Sequence, residues 1–263
     1  MQERKYSTNL TLYNFSNLAA VEGVKHYISG RKGGVSTGEV GELNVSFTVT
    51  DTSQNVVTNR TMIAESMGVK YHNLVIPIQV HSDNIAIVNQ TNYQTKFENT
   101  DALITNTPGI LIAVMSADCI PVLICDPVKK VVAAIHAGWR GTMAGIVSKT
   151  IAVMKQNFLC DPANMIAGIG PGICQEKYEV GEEVIQATKE LYDNIAGLLE
   201  FGNLPGKAKL DLWEANKRQL LLSGVHAEAI EIAGICTYSN PDKFFSARRS
   251  SNEGRFSAGI MVK

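Results

Sequence analysis

Gly109-Ile110-Leu111-Ile112-Ala113-Val114-Met115-Ser116-Ala117-Asp118-Cys119-Ile120-Pro121-Val122-Leu123-Ile124-Cys125-Asp126-Pro127-Val128-Lys129-Lys130-Val131-Val132-Ala133-Ala134-Ile135-His136 is the stretch on which the fold turns. Its apolar runs, Ile110 to Val114, Pro121 to Cys125 and Val131 to Ile135, are rich in Val and Ile and bounded by turn residues. That pattern predicts buried strands. Asp126-Pro127 marks the turn between the last two. Ser116-Ala117-Asp118 ends the first apolar run just before Cys119, and His136 stands at the end of the last, where a strand delivers a side chain to a rim.

Outward from this block, residues 59–67 read as a helix closing at Gly68. After His136, Ala137-Gly138-Trp139-Arg140-Gly141 is a glycine-bounded corner. From Thr142 to Phe158 apolar residues recur at helical spacing through Ile146, Val147, Ile151 and Met154, until Asp161-Pro162 stops the helix. Ala167 to Ile169 reads as another strand, and Gly181 to Leu199 returns to helical spacing. Asp211 caps a further helix with Glu214 three positions on, ending near Gly224. Strands and helices alternate without a strict βαβ rhythm, so the expected fold is α+β with a mixed sheet. With 263 residues and no repeat or linker, a single domain over 1–263 is expected.

Hydrophobic residues make up 45% and charged residues 19%, the balance of a well-filled core. The net charge of −1 supplies no positive field for nucleic acid or an anionic membrane, so a small-molecule partner is expected. The longest apolar stretch, Gly109 to Met115, is far shorter than the roughly 18 residues of a membrane span. Five cysteines at irregular spacing argue against a disulfide framework, and no signal-like segment opens the chain, so a cytoplasmic location is expected.

The chemistry-bearing residues are His81, Cys119 and His136. Two imidazoles and a thiolate match a three-ligand catalytic zinc site, in which a bound water becomes hydroxide at neutral pH. They equally match a Cys-His hydrolase with Cys119 as nucleophile, His81 or His136 as base and Asp118 as orienting group. Copper also takes a His2Cys set, although five histidines are too few for full multicopper chemistry. His26, His72 and His226 are assigned to packing, as are Cys125, Cys160, Cys174 and Cys236. Arg31, Arg60, Arg140 and Arg248 stand in turn-like or helix-edge settings that suit an anionic substrate; Arg249 and Arg255 read better as solvated surface charge. Gly33-Gly34-Val35-Ser36 reads either as a phosphate-cradling loop or as a plain turn, and Gly168-Ile169-Gly170-Pro171-Gly172 as a tight corner near the site.

Several ordered segments resemble the YfiH-like, or laccase-domain, family of polyphenol oxidases and purine nucleoside phosphorylases. They include Ser29-Gly30-Arg31-Lys32-Gly33-Gly34-Val35-Ser36, Asn59-Arg60, Gln79-Val80-His81, Asp101-Ala102-Leu103-Ile104-Thr105, Ala117-Asp118-Cys119-Ile120-Pro121-Val122 and His136-Ala137-Gly138-Trp139-Arg140-Gly141-Thr142. Later segments are Ile169-Gly170-Pro171-Gly172-Ile173, Tyr178-Glu179-Val180, Cys236-Thr237, Phe244-Phe245-Ser246-Ala247-Arg248-Arg249 and Gly254-Arg255. The resemblance implies a β-sandwich-like mixed core flanked by helices, layered α/β/β/α. It implies His81, Cys119 and His136 as ligands, usually of zinc, and Asp118 beside them. It further implies Arg31, Arg60, Gln79, Arg140 and Arg248 as substrate contacts.

The implied activity is phosphorolysis of adenosine, inosine or S-methyl-5′-thioadenosine, with adenosine deamination at the same site. Alternatives in order are an amidase editing peptidoglycan precursors, a copper polyphenol oxidase and a non-enzymatic zinc-stabilised binding protein. Lys32, Ala247 and Ser250-Ser251-Asn252 depart from the family pattern and bear on substrate choice.

Overall fold

The computed structural model describes residues 1–5 and 10–263. Two mixed six-stranded sheets lie face to face. Across the first run β1 (Gln2–Lys5), β2 (Thr11–Asn14), β3 (Val24–Ser29), β15 (Phe256–Val262), β7 (Leu111–Ser116) and β4 (Leu74–Val75). Across the second run β14 (Ile230–Ile232), β10 (Ile166–Ile169), β8 (Ile120–Asp126), β9 (Val131–Ala137), β6 (Ala102–Thr105) and β5 (Ile85–Ile87). A small sheet of β11 (Glu179–Val180), β13 (Ala208–Leu210) and β12 (Leu199–Phe201) stands apart. The helices are α1 (Ser16–Ala19), α2 (Ser53–Ser66), α3 (Trp139–Met143), α4 (Ile146–Phe158), α5 (Glu182–Leu191) and α6 (Leu212–Leu222).

Period-two alternation assigns the faces. On β8 and β9, Leu123, Cys125, Val132 and Ala134 pack between the sheets with Ile112, Val114, Phe256 and Ala258. Ile120, Val122, Ile124, Val131, Ala133 and Ile135 turn the other way, onto Ile146, Val147, Ile151 and Met154 of α4 and Leu212 and Leu220 of α6. On the far side of the first sheet, Tyr27, Leu111 and Ala113 pack on Ile63 of α2 and on Met67. The layers are therefore α2, sheet, sheet and α4 with α6, the expected α/β/β/α order. Strands buried on both faces explain why the quoted block reads as unbroken apolar runs.

Some boundaries differ from the sequence reading. α2 begins at Ser53, capped by the Thr52 hydroxyl, which accepts from the Asn55 N–H; its first turns are polar and gave no periodic signal. The 142–158 helix is two helices, parted by Gly145 at φ +78°. The 181–199 helix stops at Leu191, and Gly197 at φ +77° precedes β12. Asp211 caps α6 as expected, accepting from the Glu214 N–H. No described helix is long and apolar enough to cross a membrane.

Candidate active site

His81, Cys119 and His136 meet at the end of the paired strands. Antiparallel register sets Pro121 opposite His136 and Ile120 opposite Ala137, which brings the Cys119 turn beside the exit of β9. The alternation that buries Val132 and Ala134 between the sheets carries His136 to the same face at the strand end. The ligand atoms of the three residues lie within 4.8 Å of one another, and the imidazoles meet edge to face at 4.8 Å between centroids. His81 (φ +61°) and Asp118 (φ +91°) both take left-handed backbone, a strain that non-glycine residues hold at functional sites. Gly138 completes the enclosure: a Cβ there would stand 3.0 Å from both the Cys119 Sγ and the His81 Cδ2.

Asp101 organises the trio, a role the sequence reading did not assign. Its Oδ1 accepts from the His81 backbone N–H at 3.0 Å and lies 2.8 Å from the His136 Nδ1. Its Oδ2 accepts from the backbone N–H of Val80 and Ser82 and from the Ser82 hydroxyl. Burial works to raise this carboxyl, but the bonds from His136 and Ser82 outweigh it and bring it down to about 2. The signal available was a carboxylate leading the apolar run Ala102 to Ile104, where burial demands partners.

Burial also works to raise the Cys119 thiol, yet the charge and hydrogen bonds of His136, joined by those of His81, bring it down to about 6. It opposes a charged His136 too, but Cys119 and Asp101 hold that imidazole up at about 9. One proton on His136 thus balances the thiolate. The donor set fits a borderline-soft divalent ion such as zinc, with Asp101 fixing the ring it bonds.

The trio lines a cavity of about 730 Å³. Ser46, Phe47, Thr48, Arg60, Met115, Gln79, Tyr178, Arg248 and Arg255 also line it. Arg60 stacks on Phe47 at 4.6 Å and donates from Nε to the Val45 carbonyl at 2.7 Å. Burial lowers its pKa. Gln79 donates to the Met115 carbonyl and accepts from the Met115 N–H, holding its loop to the end of β7. Arg248 lies 5.1 Å from the Tyr178 ring centroid.

Two predicted contacts lie elsewhere. The Arg31 guanidinium donates to the carbonyls of Pro241, Gly41 and Glu39 and stacks on Phe245, bracing two loops. Arg140 is exposed, stacked on Trp139 at 4.3 Å. Neither lines the cavity. The two arginines read as surface charge are corrected in turn. Arg249 is a strut, bonded to Glu253 and to the carbonyls of Thr237, Tyr238 and Phe244. Arg255 lines the cavity, with Cys119 and Asp118 in range of its charge.

The Gly33-to-Ser36 segment is a turn: the N–H groups of Gly33, Val35 and Ser36 already donate to the Glu42 carboxylate, the Asn59 side chain and the Glu42 carbonyl. The 168–172 corner packs against the site, since a Cβ on Gly172 would stand 2.2 Å from the Ile120 Cδ1 and 2.9 Å from the Asp118 carbonyl oxygen. His26 is a packed histidine that accepts from the Phe15 N–H, while His72 and His226 are exposed on the surface. All five cysteines are free thiols.

Residues 25–263 match the family described as multi-copper polyphenol oxidoreductase laccase. The chain is 36% identical over 259 residues to a protein of Bacteroides thetaiotaomicron named purine nucleoside phosphorylase, covering 95% of this chain and 96% of that one. It is 34% identical over 253 residues to adenosine deaminase RL5 of an unknown prokaryotic organism, covering 93% and 96%. The solved structure of Bacillus licheniformis YfiH superposes with a TM-score of 0.91 at 29% identity, over 99% of both chains. YlmD of Geobacillus stearothermophilus does so with a TM-score of 0.90 at 29% identity, over 99% of this chain and 98% of that one. Match and superposition both run through the Asp101, Cys119 and His136 strands, so the chain belongs to this laccase-like YfiH family.

Proposed function

We propose that this protein is a zinc-dependent purine nucleoside phosphorylase acting on adenosine, inosine or S-methyl-5′-thioadenosine, with adenosine deamination as a second reaction. The observation that carries the reading is one cavity lined both by His81, Cys119 and His136 and by Arg60, Arg248 and Arg255. A bound zinc ion supplies Lewis-acid polarisation and a water of lowered pKa. The arginines supply what phosphorolysis needs from the chain: guanidinium groups that hold a phosphate so that one of its oxygens attacks C1′ of the ribose. The C1′–N9 bond then breaks with its electron pair on N9, and the purine leaves as the free base, taking up the proton that hydrogen phosphate gives up on forming ribose 1-phosphate. Phe47 and Tyr178 offer aromatic faces to a flat base.

Zinc is preferred to copper because the reactions named for the relatives involve no change of oxidation state. The deaminase reading draws on the relative of that name. Cys119 flanked by two imidazoles would also serve a Cys-dependent amidase, a reading that no relative cited above carries by name. The test is product analysis of protein of known metal content with adenosine and with inosine, with and without phosphate. Free base and ribose 1-phosphate formed only with phosphate are expected. Base release without phosphate, or no turnover with zinc bound, would contradict the reading.

A further inference from the structure

Asp118 neighbours Cys119, and its side-chain hydrogen bonds run to residues outside the trio. Its Oδ1 accepts from the Thr237 hydroxyl at 2.6 Å. Its Oδ2 accepts from the Ser246 hydroxyl at 3.0 Å and from the Arg248 backbone N–H at 2.7 Å. Three of the roughly four acceptor sites of a carboxylate are thus taken by protein donors. The Asp118 carbonyl accepts from the Ile173 N–H at 2.9 Å, so this one residue ties the Cys119 turn to three other segments.

Of the residues that Asp118 holds, Ile173 and Arg248 line the cavity, and Arg248 is the charged one. The guanidinium donates to the Glu179 carbonyl at 3.3 Å and lies over Tyr178, and the backbone N–H of Arg248 is held by Asp118, while Glu253 holds the flanking Ser246 N–H and Arg249 side chain. An exposed arginine held at one end by a neighbouring strand and at the other by a buried carboxylate is preorganised for an anion. We propose that Asp118 is a positioning residue for Arg248, setting the 246–248 loop against the cavity, and neither an acid nor a base in the reaction. The inference rests on the reading of Arg248 as a contact for the anionic substrate.

Two substitutions separate scaffold from charge, because both tolerate the left-handed backbone at Asp118. Asp118→Asn keeps the arrangement, with its oxygen accepting from Arg248 and Ser246 and its amide donating to the Thr237 hydroxyl. Asp118→Gly removes every acceptor. KM for phosphate, kcat, zinc affinity by chelator competition and hydrogen exchange of the 246–250 segment are measured for both, and for Arg248→Ala alone and combined with Asp118→Gly.

Asp118→Asn is expected to stay within about threefold of the parent in KM. Asp118→Gly is expected to raise the phosphate KM about tenfold or more, with kcat and zinc affinity little changed, and to speed exchange in the segment. In the Arg248→Ala background it is expected to add nothing. An Asn variant as impaired as the Gly variant, a fall in zinc affinity with Asp118→Gly, unchanged exchange, or a further KM rise in the Arg248→Ala background would each overturn the inference. Arg248→Ala with an unchanged phosphate KM would instead count against the anion role of Arg248, and the exchange measurement reads the positioning even without turnover.

Discussion

Asp101 and Gly138 show how much of the candidate site is carried by residues that need not touch a substrate. One buried carboxylate aligns the His81 backbone and the His136 ring at once. Asp101→Ala is therefore expected to weaken zinc binding about 10–100-fold, read by chelator competition; unchanged affinity would show that the strand ends hold the imidazoles unaided. Gly138→Ala places a methyl 3.0 Å from the Cys119 Sγ and the His81 Cδ2. It is expected to lower zinc affinity while circular dichroism still reports the parent fold, and a variant binding zinc as the parent does would show that these side chains can give way. The trio was legible in the sequence because a thiol and two imidazoles broke apolar runs at their ends. Asp101 was not, since a carboxylate before a strand resembles any solvated turn until the fold buries it.

The elements deliver these groups through strand register and helix placement. β8 and β9 were readable because Val, Ile and Ala filled both faces, and their pairing brings Cys119 beside His136. The polar start of α2 and the Gly145 break between α3 and α4 were not, because Ser, Gln and Asn give no apolar period and one glycine interrupts a sustained one. Arg249 and Arg255 were misread for a related reason: only the folding back of 237–255 gives one its carbonyl partners and the other its place in the cavity. Arg60 reaches the cavity from α2, with Nε already spent on the Val45 carbonyl. Arg60→Lys, with one compact ammonium for both partners, is expected to raise the phosphate KM about tenfold with smaller effect on kcat. An unchanged phosphate KM would remove Arg60 from the anion subsite.

Over the whole molecule, two sheets packed face to face bring the ends of β7 and β9 to the cavity. The core also carries a pH dependence away from the cavity. Burial, reinforced by Arg4, pushes the His26 imidazole down to about 4 against the pull of Glu231, and its Nε2 accepts from the Phe15 N–H. A folded pKa below the ordinary value of about 6.5 means that the unfolded chain binds the proton more readily. The stabilising contribution is therefore complete above about pH 6.5 and is lost as pH falls toward 4, by at most about 3 kcal/mol. Urea unfolding at pH 7 and pH 4.5 should show that fall, and His26→Gln should lessen it; equal losses in both proteins would place the dependence elsewhere. The central claim, that His81, Cys119 and His136 hold the metal on which nucleoside cleavage depends, is tested most directly by Cys119→Ala. Metal content and phosphate-dependent release of free base from inosine, measured on the same preparation, are expected to disappear together, whereas a metal-free variant that still releases base at the parent rate would contradict the account.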